Sequence, residues 1–491
     1  MKRIIMLILA GILLLSCLSF IACKDDTTEP TDTTAKEEQT EPDDLSSQLD
    51  LPADLKFNGE FNILTYDSGV PEFANMDKDS PDMVDQALLE RDAYVEERLN
   101  VIFEYERKGG QWGDRNTFSD AVRTSVQSDA RAWDLVATYS MVAPNLALNN
   151  VLVDMRTLDY IDFSKTWYPQ FMVEASTTND KTYFISGDVS TNLLYSMQGV
   201  VFSETQASAH GMDEAELYQM VYDGEWTLEN LFSMCEDYGK ELDGNGIWDQ
   251  GDFYPIVAAN DACLDSLYFA TGLTLIEEDS NGVLHVSDDV LSEKVLGIYS
   301  LIYDGINTYK SFNNTMNDKT IVEGKCIFSM SFVMNFRTVF ADSQERFRIL
   351  PFPKFEEGNS TSYKTLLSMW HTQFCIPSDV RDPDRSAAVL EALGYTSYHY
   401  VMPVIFEDTL KLRYSENEDC ANMFDIMRNG CVFDVGSLFY MSFEGGNYLC
   451  AHSMFRDAVQ NRITNWVSNY NNRFKTGLTA VTEQLNEFYS K

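Results

Sequence analysis

The chain has 491 residues and a formal net charge of −41, from 36 Lys and Arg against 77 Asp and Glu. A chain of this length exceeds the usual size of one hydrophobic core, so we expect two domains or lobes. The acidic balance argues against nucleic acid as a partner, because nucleic-acid binding depends on basic residues that neutralise phosphates. It also disfavours peripheral docking on anionic lipid.

The N-terminus has the pattern of a secretory signal. Two basic residues precede an apolar run over residues 4–22, and Ala22 stands directly before Cys23. This order predicts a signal peptide over residues 1–22 and lipidation of Cys23, with Cys17 as the alternative lipidation point. The run is also long enough for an uncleaved anchor helix. By either route, the rest of the chain is expected on the extracellular face of the cell membrane.

Residues 23–55 are predicted to form a lipidated cysteine followed by an acidic disordered linker. It is rich in Thr, Asp, Glu and Pro, and residues 24–50 contain no aromatic residue. Such a segment buries too little apolar surface to order itself. We expect it to act as a spacer between the lipid and the folded body.

The cysteines indicate no metal or redox motif. Nine are scattered along the chain and no CxxC occurs, so neither a zinc site nor a thioredoxin-like site is indicated. Most lie in apolar surroundings and are interpreted as small buried hydrophobes. A disulfide among Cys420, Cys431 and Cys450 stays open.

The first folded region alternates strand and helix patterns. Periodicity and β-propensity predict strand, helix, strand, helix and strand at residues 61–65, 84–99, 101–105, 118–130 and 133–137. This order favours an α/β class with a doubly wound parallel sheet. Further along, Thr227 is a good N-cap for a helix. Helices are also predicted over roughly 385–400 and through most of 454–489.

Ligands of doubly wound sheets bind beyond the carboxyl ends of the strands. The residues at those ends are Tyr66 and Asp67 after the first strand, Trp112 after the second, and Tyr139 after the third. Tyr66, Asp67 and Tyr139 are each more often surface or packing residues than ligand contacts, whereas Trp112, in a loop after Gly109-Gly110, is less often a core residue. We nevertheless take these four as candidate ligand-binding residues.

Residues 243–252 resemble a calcium loop. Calcium prefers several oxygen ligands on a Gly-rich turn. The candidate ligands are Asp243, Asn245, Asp249 and Asp252, with the carbonyl of Ile247. The segment is not an EF-hand, because Tyr254 stands where that loop closes with Glu. The alternative is an acidic turn without metal.

Catalytic motifs are absent from the sequence. It contains no GxSxG, HExxH, P-loop or GxGxxG, and its five histidines are scattered. We therefore expect no enzymatic activity and no required cofactor. Carboxylates are numerous enough that a glycoside-processing enzyme stays the leading alternative.

Several short motifs occur together in a characteristic order. They are Trp133-Asp134-Leu135-Val136 followed by Leu152-Val153-Asp154-Met155, Lys181-Thr182-Tyr183-Phe184, Asp223-Gly224-Glu225-Trp226-Thr227-Leu228 followed by Asp243-Gly244-Asn245-Gly246, Glu323-Gly324-Lys325, Pro351-Phe352-Pro353-Lys354, Ile376-Pro377, and Asp384-Arg385-Ser386-Ala387-Ala388. In this order they resemble the bacterial extracellular solute-binding lipoproteins of ABC importers, of the carbohydrate-binding type. The resemblance spans nearly the whole mature chain.

The resemblance implies a periplasmic-binding-protein-like fold. Two α/β lobes are joined by hinge strands and close over a ligand. Carried over, lobe one holds residues 56–192 plus 372–412, and lobe two holds 198–366 plus 413–491. Hinge crossings fall near 194–196 and 369–371. The implied partners are a carbohydrate and an ABC permease, and the implied state is a monomer.

A sugar site needs flat aromatic platforms, together with polar groups that hydrogen-bond to hydroxyls. Trp370 lies at the second expected crossing and is the strongest platform candidate, although a core Trp on a buried strand is the alternative. His371 and Tyr195 lie at the crossings, and Asn260 and Asp261 form a polar pair in lobe two. A non-sugar solute and a surface interaction protein remain further alternatives.

Overall fold

The computed structural model describes residues 48–68, 70–73, 82–358, 362–406, 418–439 and 454–490. Fifteen strands are found within these ranges: β1 Glu60–Tyr66, β2 Ile102–Lys108, β3 Leu135–Tyr139, β4 Thr177–Thr178, β5 Lys181–Thr182, β6 Gln198–Ser203, β7 Ile256–Ala258, β8 Ile276–Glu278, β9 Leu284–Val286, β10 Phe312–Asn313, β11 Phe328–Phe332, β12 Phe347–Leu350, β13 Thr365–Leu366, β14 Thr372–Cys375 and β15 Cys431–Val432.

The first sheet has the strand order β14-β3-β1-β2. Its β1, β2 and β3 are parallel, and β14 is antiparallel to β3, with Thr372 opposite Tyr139. The central strands β1 and β3 are almost entirely buried, as expected for parallel strands that are covered on both faces. This sheet and its helices form lobe one. Its carboxyl edge carries Tyr66, Tyr139 and the loop that contains Trp112.

The second sheet has the order β10-β7-β11-β6-β12 and forms the centre of lobe two. Strands β7 and β11 are parallel, whereas β6 runs antiparallel to β11, with Gln198 opposite Phe332. Because β6 is reversed, its first residue lies at the same edge as the carboxyl end of β11. Gln198 and Phe332 therefore lie side by side at one edge of this sheet.

Two segments within the described residues connect the sheets. The chain leaves lobe one through the helix Thr191–Tyr195 and enters β6 at Gln198, and it returns between β13 and β14. The two connections contact each other, through an antiparallel bridge between Met197 and Leu367 and through a bond from the Ser368 N–H to the Ser196 carbonyl, 3.0 Å. The lobes are thus joined by paired segments near the positions expected for the hinge.

The α-helices of the described residues surround both sheets. They are Met83–Leu99, Arg115–Gln127, Val142–Leu148, Gln170–Ser176, Thr191–Tyr195, Glu204–Ala209, Glu214–Asp223, Leu228–Cys235, Asp261–Ala270, Glu293–Asp304, Lys319–Val322, Pro383–Thr396, Glu418–Asn429, Val435–Phe439, Met454–Gln460, Trp466–Asn469 and Lys475–Tyr489.

The predicted alternation of strands and helices is confirmed, and so is the α/β class. The helix predicted over 118–130 begins three residues earlier, at Arg115, and ends at Gln127. Thr227 caps the helix Leu228–Cys235, since its side chain accepts from the Asn230 N–H, 3.2 Å. The strands of the two sheets fall within the ranges predicted for the two lobes, while the exact lobe boundaries stay predictions.

The signal peptide, both lipidation candidates, most of the linker and Cys450 lie outside the described residues. Within the described part, no helix has both the length and the apolar character needed to span a bilayer. Six cysteines are described, among them Cys420 and Cys431, and all are buried thiols.

Candidate functional site

A cavity of about 320 Å³ lies where the two connections pass between the lobes. Its walls combine the carboxyl edge of the first sheet, the return connection, the start of β6 and C-terminal helices. It is lined by Trp112, Tyr139, Met141, Gln198, Ala262, Asp265, Leu366, Leu367, Ser368, Met369, Trp370, Phe433, Ser437 and Arg456. Most of this lining is apolar or aromatic, with a few polar groups, which is the usual composition of a small-molecule site.

Three of the sequence-predicted residues meet at this cavity: Trp112, Tyr139 and Trp370. Trp370 is 54% exposed and stacks on Phe332 of lobe two, with ring centroids 5.7 Å apart and planes at 23°. Trp112 is 51% exposed, and the Arg115 guanidinium lies 4.3 Å from its ring centroid. Exposed aromatic faces inside a concave site can cover the C–H face of a ring-shaped ligand.

Tyr139 and Tyr66 form an edge-to-face pair at the carboxyl edge of the first sheet, with centroids 6.1 Å apart. The Tyr66 hydroxyl lies 3.2 Å from Thr372 Oγ1. Burial raises the pKa of Tyr139 to about 12 and raises the pKa of Tyr66 further. Both phenols are therefore neutral at physiological pH. Tyr66 supports Tyr139 from behind and does not line the cavity.

The lobe-two wall supplies the main polar groups. Asp265 is buried, and its Oδ2 lies 3.3 Å from Nη2 of Arg456. Burial raises the pKa of Asp265 to about 8, although the Arg456 charge opposes that shift. Gln198 is fully buried, and its Oε1 accepts from the Ser266 hydroxyl, 2.9 Å.

A buried carboxylate organises the lobe-one side of both connections. Glu72 is 2% exposed and accepts from the backbone N–H groups of Thr191, 2.7 Å, and Asn192, 3.3 Å. It also accepts from the Asn192 amide and from the hydroxyls of Ser190 and Thr372. The first turn of the helix Thr191–Tyr195 and the start of β14 are thereby tied to one side chain.

Four other predicted residues do not line the cavity. Asp67 is exposed, and Tyr195 is fully buried, with its hydroxyl 3.4 Å from Nη1 of Arg337. Asn260 caps the helix Asp261–Ala270 by accepting from the Ala262 N–H. Asp261 is exposed and accepts from Gln460. Their roles in ligand binding stay predictions.

His371 also lies outside the lining and is fully buried. Its Nδ1 donates to the Ser368 carbonyl, 2.8 Å, so its Nε2 is left to accept from the Gln373 amide, 3.0 Å. Burial lowers the pKa of His371 to about 4, and the imidazole is therefore neutral at pH 7. In this geometry His371 stabilises the return connection.

Sequence reasoning missed the lobe-two contribution to the cavity. Gln198, Asp265, Phe433 and Arg456 belong to four separate stretches of chain that meet only after folding. No local motif distinguishes them in the sequence. A buried acid in the helix Asp261–Ala270 was the one available signal, because Asp265 lies among apolar residues there.

The predicted calcium loop is an exposed turn in lobe two. Carboxylate oxygens of Asp243 and Asp252 lie with one of Glu241 inside a group that spans at most 4.8 Å. Three carboxylates at this spacing repel each other, and a hard cation would relieve that repulsion. This donor set fits calcium, and Glu241 is a member that the sequence prediction lacked.

The other predicted calcium ligands serve the turn itself. Asn245 Oδ1 accepts from the Ile247 N–H, 2.5 Å, and Asp249 Oδ1 accepts from the Gly251 N–H, 2.6 Å. Asp252 is buried and accepts from two backbone N–H groups. Hydrogen bonds from the backbone N–H and the side-chain amide of Asn245 lower the pKa of Asp243.

Structural comparison places this arrangement among known folds. The chain is similar to the cyclic α-maltosyl-1,6-maltose binding protein of Arthrobacter globiformis, with a TM-score of 0.55, 12% identity, and coverage of 88% of this chain and 99% of that chain. It is also similar to an ABC substrate-binding protein of Listeria monocytogenes in complex with cycloalternan, with a TM-score of 0.53, 12% identity, and coverage of 87% and 99%.

The fold is that of ABC substrate-binding proteins. A third structure with this fold is UgpB of Mycobacterium tuberculosis in complex with glycerophosphocholine, with a TM-score of 0.54, 11% identity, and coverage of 82% of this chain and 95% of that chain. The sequence itself matches no protein-family profile and no curated protein. The substrate-binding-protein fold therefore rests on structure, with the chain spanning nearly the whole length of each of these proteins.

Proposed function

We propose that this chain is an extracellular receptor that captures a carbohydrate between its two lobes and delivers it to an ABC permease. The observation that carries this proposal is the cavity at the paired connections, where Trp112, Tyr139 and Trp370 meet. Its walls come from both lobes, so a ligand there contacts both at once. Ligand contacts that differ between open and closed lobes drive closure.

The site geometry favours binding over chemistry. The cavity wall contains an acidic side chain, Asp265, which is paired with Arg456. Glycoside hydrolysis uses two carboxyl groups that flank the bond to be broken. Among the described residues that line the cavity, Asp265 is the one carboxyl group. A non-catalytic receptor therefore fits the described lining better than a glycoside-processing enzyme.

The sequence before the folded body supports the location. A signal peptide over residues 1–22, followed by a lipidated Cys23 and an acidic linker, would hold the receptor at the extracellular face of the membrane by a lipid. The receptor would act as a monomer, with the membrane-bound permease as its partner.

Radiolabelled palmitate incorporation in cells is expected for the natural chain and is expected to be lost in Cys23→Ser.

A thermal-shift screen tests the receptor proposal. A ligand that binds only the native state raises the free energy of unfolding, by about 2.7 kcal/mol at 100 times its Kd, and therefore raises the melting temperature. We expect saturable shifts with maltotetraose or cycloalternan and no release of product sugar. Product formation would support the enzyme instead. A shift with glycerophosphocholine alone would favour a non-sugar solute.

The acidic turn is proposed as a structural calcium site, held by Asp243, Asp252 and Glu241. We expect EGTA to lower the melting temperature and calcium to restore it, because the ion relieves repulsion among these carboxylates. Asp243→Asn should abolish the response to calcium. Asp279→Asn is the matched control, since Asp279 also accepts two backbone N–H groups in an exposed turn. A melting temperature that ignores EGTA would contradict the proposal.

A further inference from the structure

Gln198 occupies an unusual position in the cavity wall. It is the first residue of β6, where the outgoing connection enters lobe two, and its side chain is fully buried. It lines the cavity together with residues of both lobes. The neighbouring Phe332, opposite Gln198 in the sheet, carries the stacked ring of Trp370. Gln198 therefore lies close to the exposed aromatic surface of the site.

The side-chain amide of Gln198 has a hydrogen-bond partner at its oxygen but none at its nitrogen among the described residues. Its Oε1 accepts from the Ser266 hydroxyl at 2.9 Å, and this bond fixes the orientation of the amide. Its Nε2 has no hydrogen-bond partner among the described residues. A buried donor without an acceptor destabilises the folded protein, because it has given up its hydrogen bond to water without replacement. Folded proteins retain few such groups, and those that remain call for an explanation.

The ionisable side chains of the same wall already contact other groups. Asp265 contacts Arg456 at 3.3 Å, and Arg456 also lies 3.9 Å from Asp261. A ligand oxygen that enters the cavity would have to compete with Asp265 and Asp261 for the Arg456 guanidinium. At Gln198 it would meet a donor that is not used by the described protein. The gain in free energy on binding is therefore expected to be largest at that amide.

We propose that Gln198 is a specificity-determining residue that donates a hydrogen bond from Nε2 to an oxygen of the bound ligand. This inference rests on the proposed function and adds a chemical requirement to it. The ligand class is a ring with an apolar face for the aromatic surfaces and an acceptor oxygen, hydroxyl or acetal, on the edge that faces lobe two. A ligand that lacks that oxygen gains nothing from the amide.

The test compares the wild-type chain with Gln198→Met, which keeps the length of the side chain and removes the donor. We expect the Kd for maltotetraose, measured by isothermal titration calorimetry, to rise about tenfold. The melting temperature without ligand should change little, because the removal of an unpartnered buried donor offsets the loss of the bond to Ser266, whose hydroxyl keeps the Ala262 carbonyl as an acceptor, 3.4 Å. Gln127→Met, the same change at an exposed helix end, should alter neither quantity.

The remaining outcomes distinguish failure of this inference from failure of the proposed function. A clear fall in the ligand-free melting temperature of Gln198→Met would make Gln198 a structural residue and overturn the inference. Equal Kd values for the variant and the wild type would also overturn it, while the proposed function stands. A wild-type chain that binds none of maltotetraose, cycloalternan and glycerophosphocholine would contradict the proposed function, and the inference would fall with it.

Discussion

Replacement of Trp370 by alanine is expected to weaken sugar binding by about 30-fold. Trp370 is 54% exposed in the ligand-free cavity. A ligand ring that covers ~80 Å² of this apolar surface contributes about 2 kcal/mol at ~25 cal/mol per Å², which corresponds to about a 30-fold change in Kd. The measurement is titration calorimetry with maltotetraose. Trp370→Phe should lose less, since it keeps a smaller platform.

A matched control separates platform loss from general damage. Trp248 is a half-buried tryptophan of lobe two that does not line the cavity. Trp248→Ala should therefore leave the Kd unchanged. Trp370→Ala also loses its stacking on Phe332, which costs about 1 kcal/mol of stability, so affinity has to be measured well below the melting temperature. An unaltered Kd in Trp370→Ala would show that its exposed face is not a ligand platform.

Glu72→Ala is expected to destabilise the protein by about 3–5 kcal/mol. The substitution leaves the N–H groups of Thr191 and Asn192 buried without their acceptor, and each such loss costs about 1–3 kcal/mol. Glu72→Gln should also be destabilising, because an amide NH₂ would face groups that themselves donate. The measurement is urea unfolding followed by circular dichroism.

The control for Glu72 is Glu104→Gln, at an exposed position on β2. That change should alter the free energy of unfolding by less than about 0.5 kcal/mol. If Glu72→Ala unfolds at the wild-type urea concentration, the carboxylate does not hold the connections together. A fall in stability together with weaker ligand binding would show that Glu72 also affects binding at the cavity.

The sequence was sufficient to predict local structure and the aromatic half of the site. Strand β1 follows from a short β-prone apolar run and the helix Met83–Leu99 from a period-3.6 pattern, both of which are properties of neighbouring residues. Trp112 and Tyr139 were found because strand ends in a parallel sheet meet at one edge. That rule needs only the order of elements along the chain.

The lobe-two half of the site was not predictable in the same way. Gln198 reaches the cavity because β6 is antiparallel to β11, and Arg456 reaches it because a C-terminal helix packs on Asp261–Ala270. Both depend on tertiary pairing between distant segments. His371 was predicted as a ligand-binding residue because it lies at the second expected crossing, but it does not line the cavity. It adjoins Trp370, yet the two side chains have opposite environments, one buried and one half-exposed.

The bridge between Met197 and Leu367 has a mechanical consequence for a two-lobed molecule. Two segments bonded side by side resist sliding past each other and bending within their common plane, whereas bending out of that plane is easier. We therefore expect the lobes to rotate relative to each other mainly by bending at this pair of segments. A ligand that fills the cavity would act along that rotation, and substitutions that separate the two connections would release sideways motions that the bonded pair suppresses.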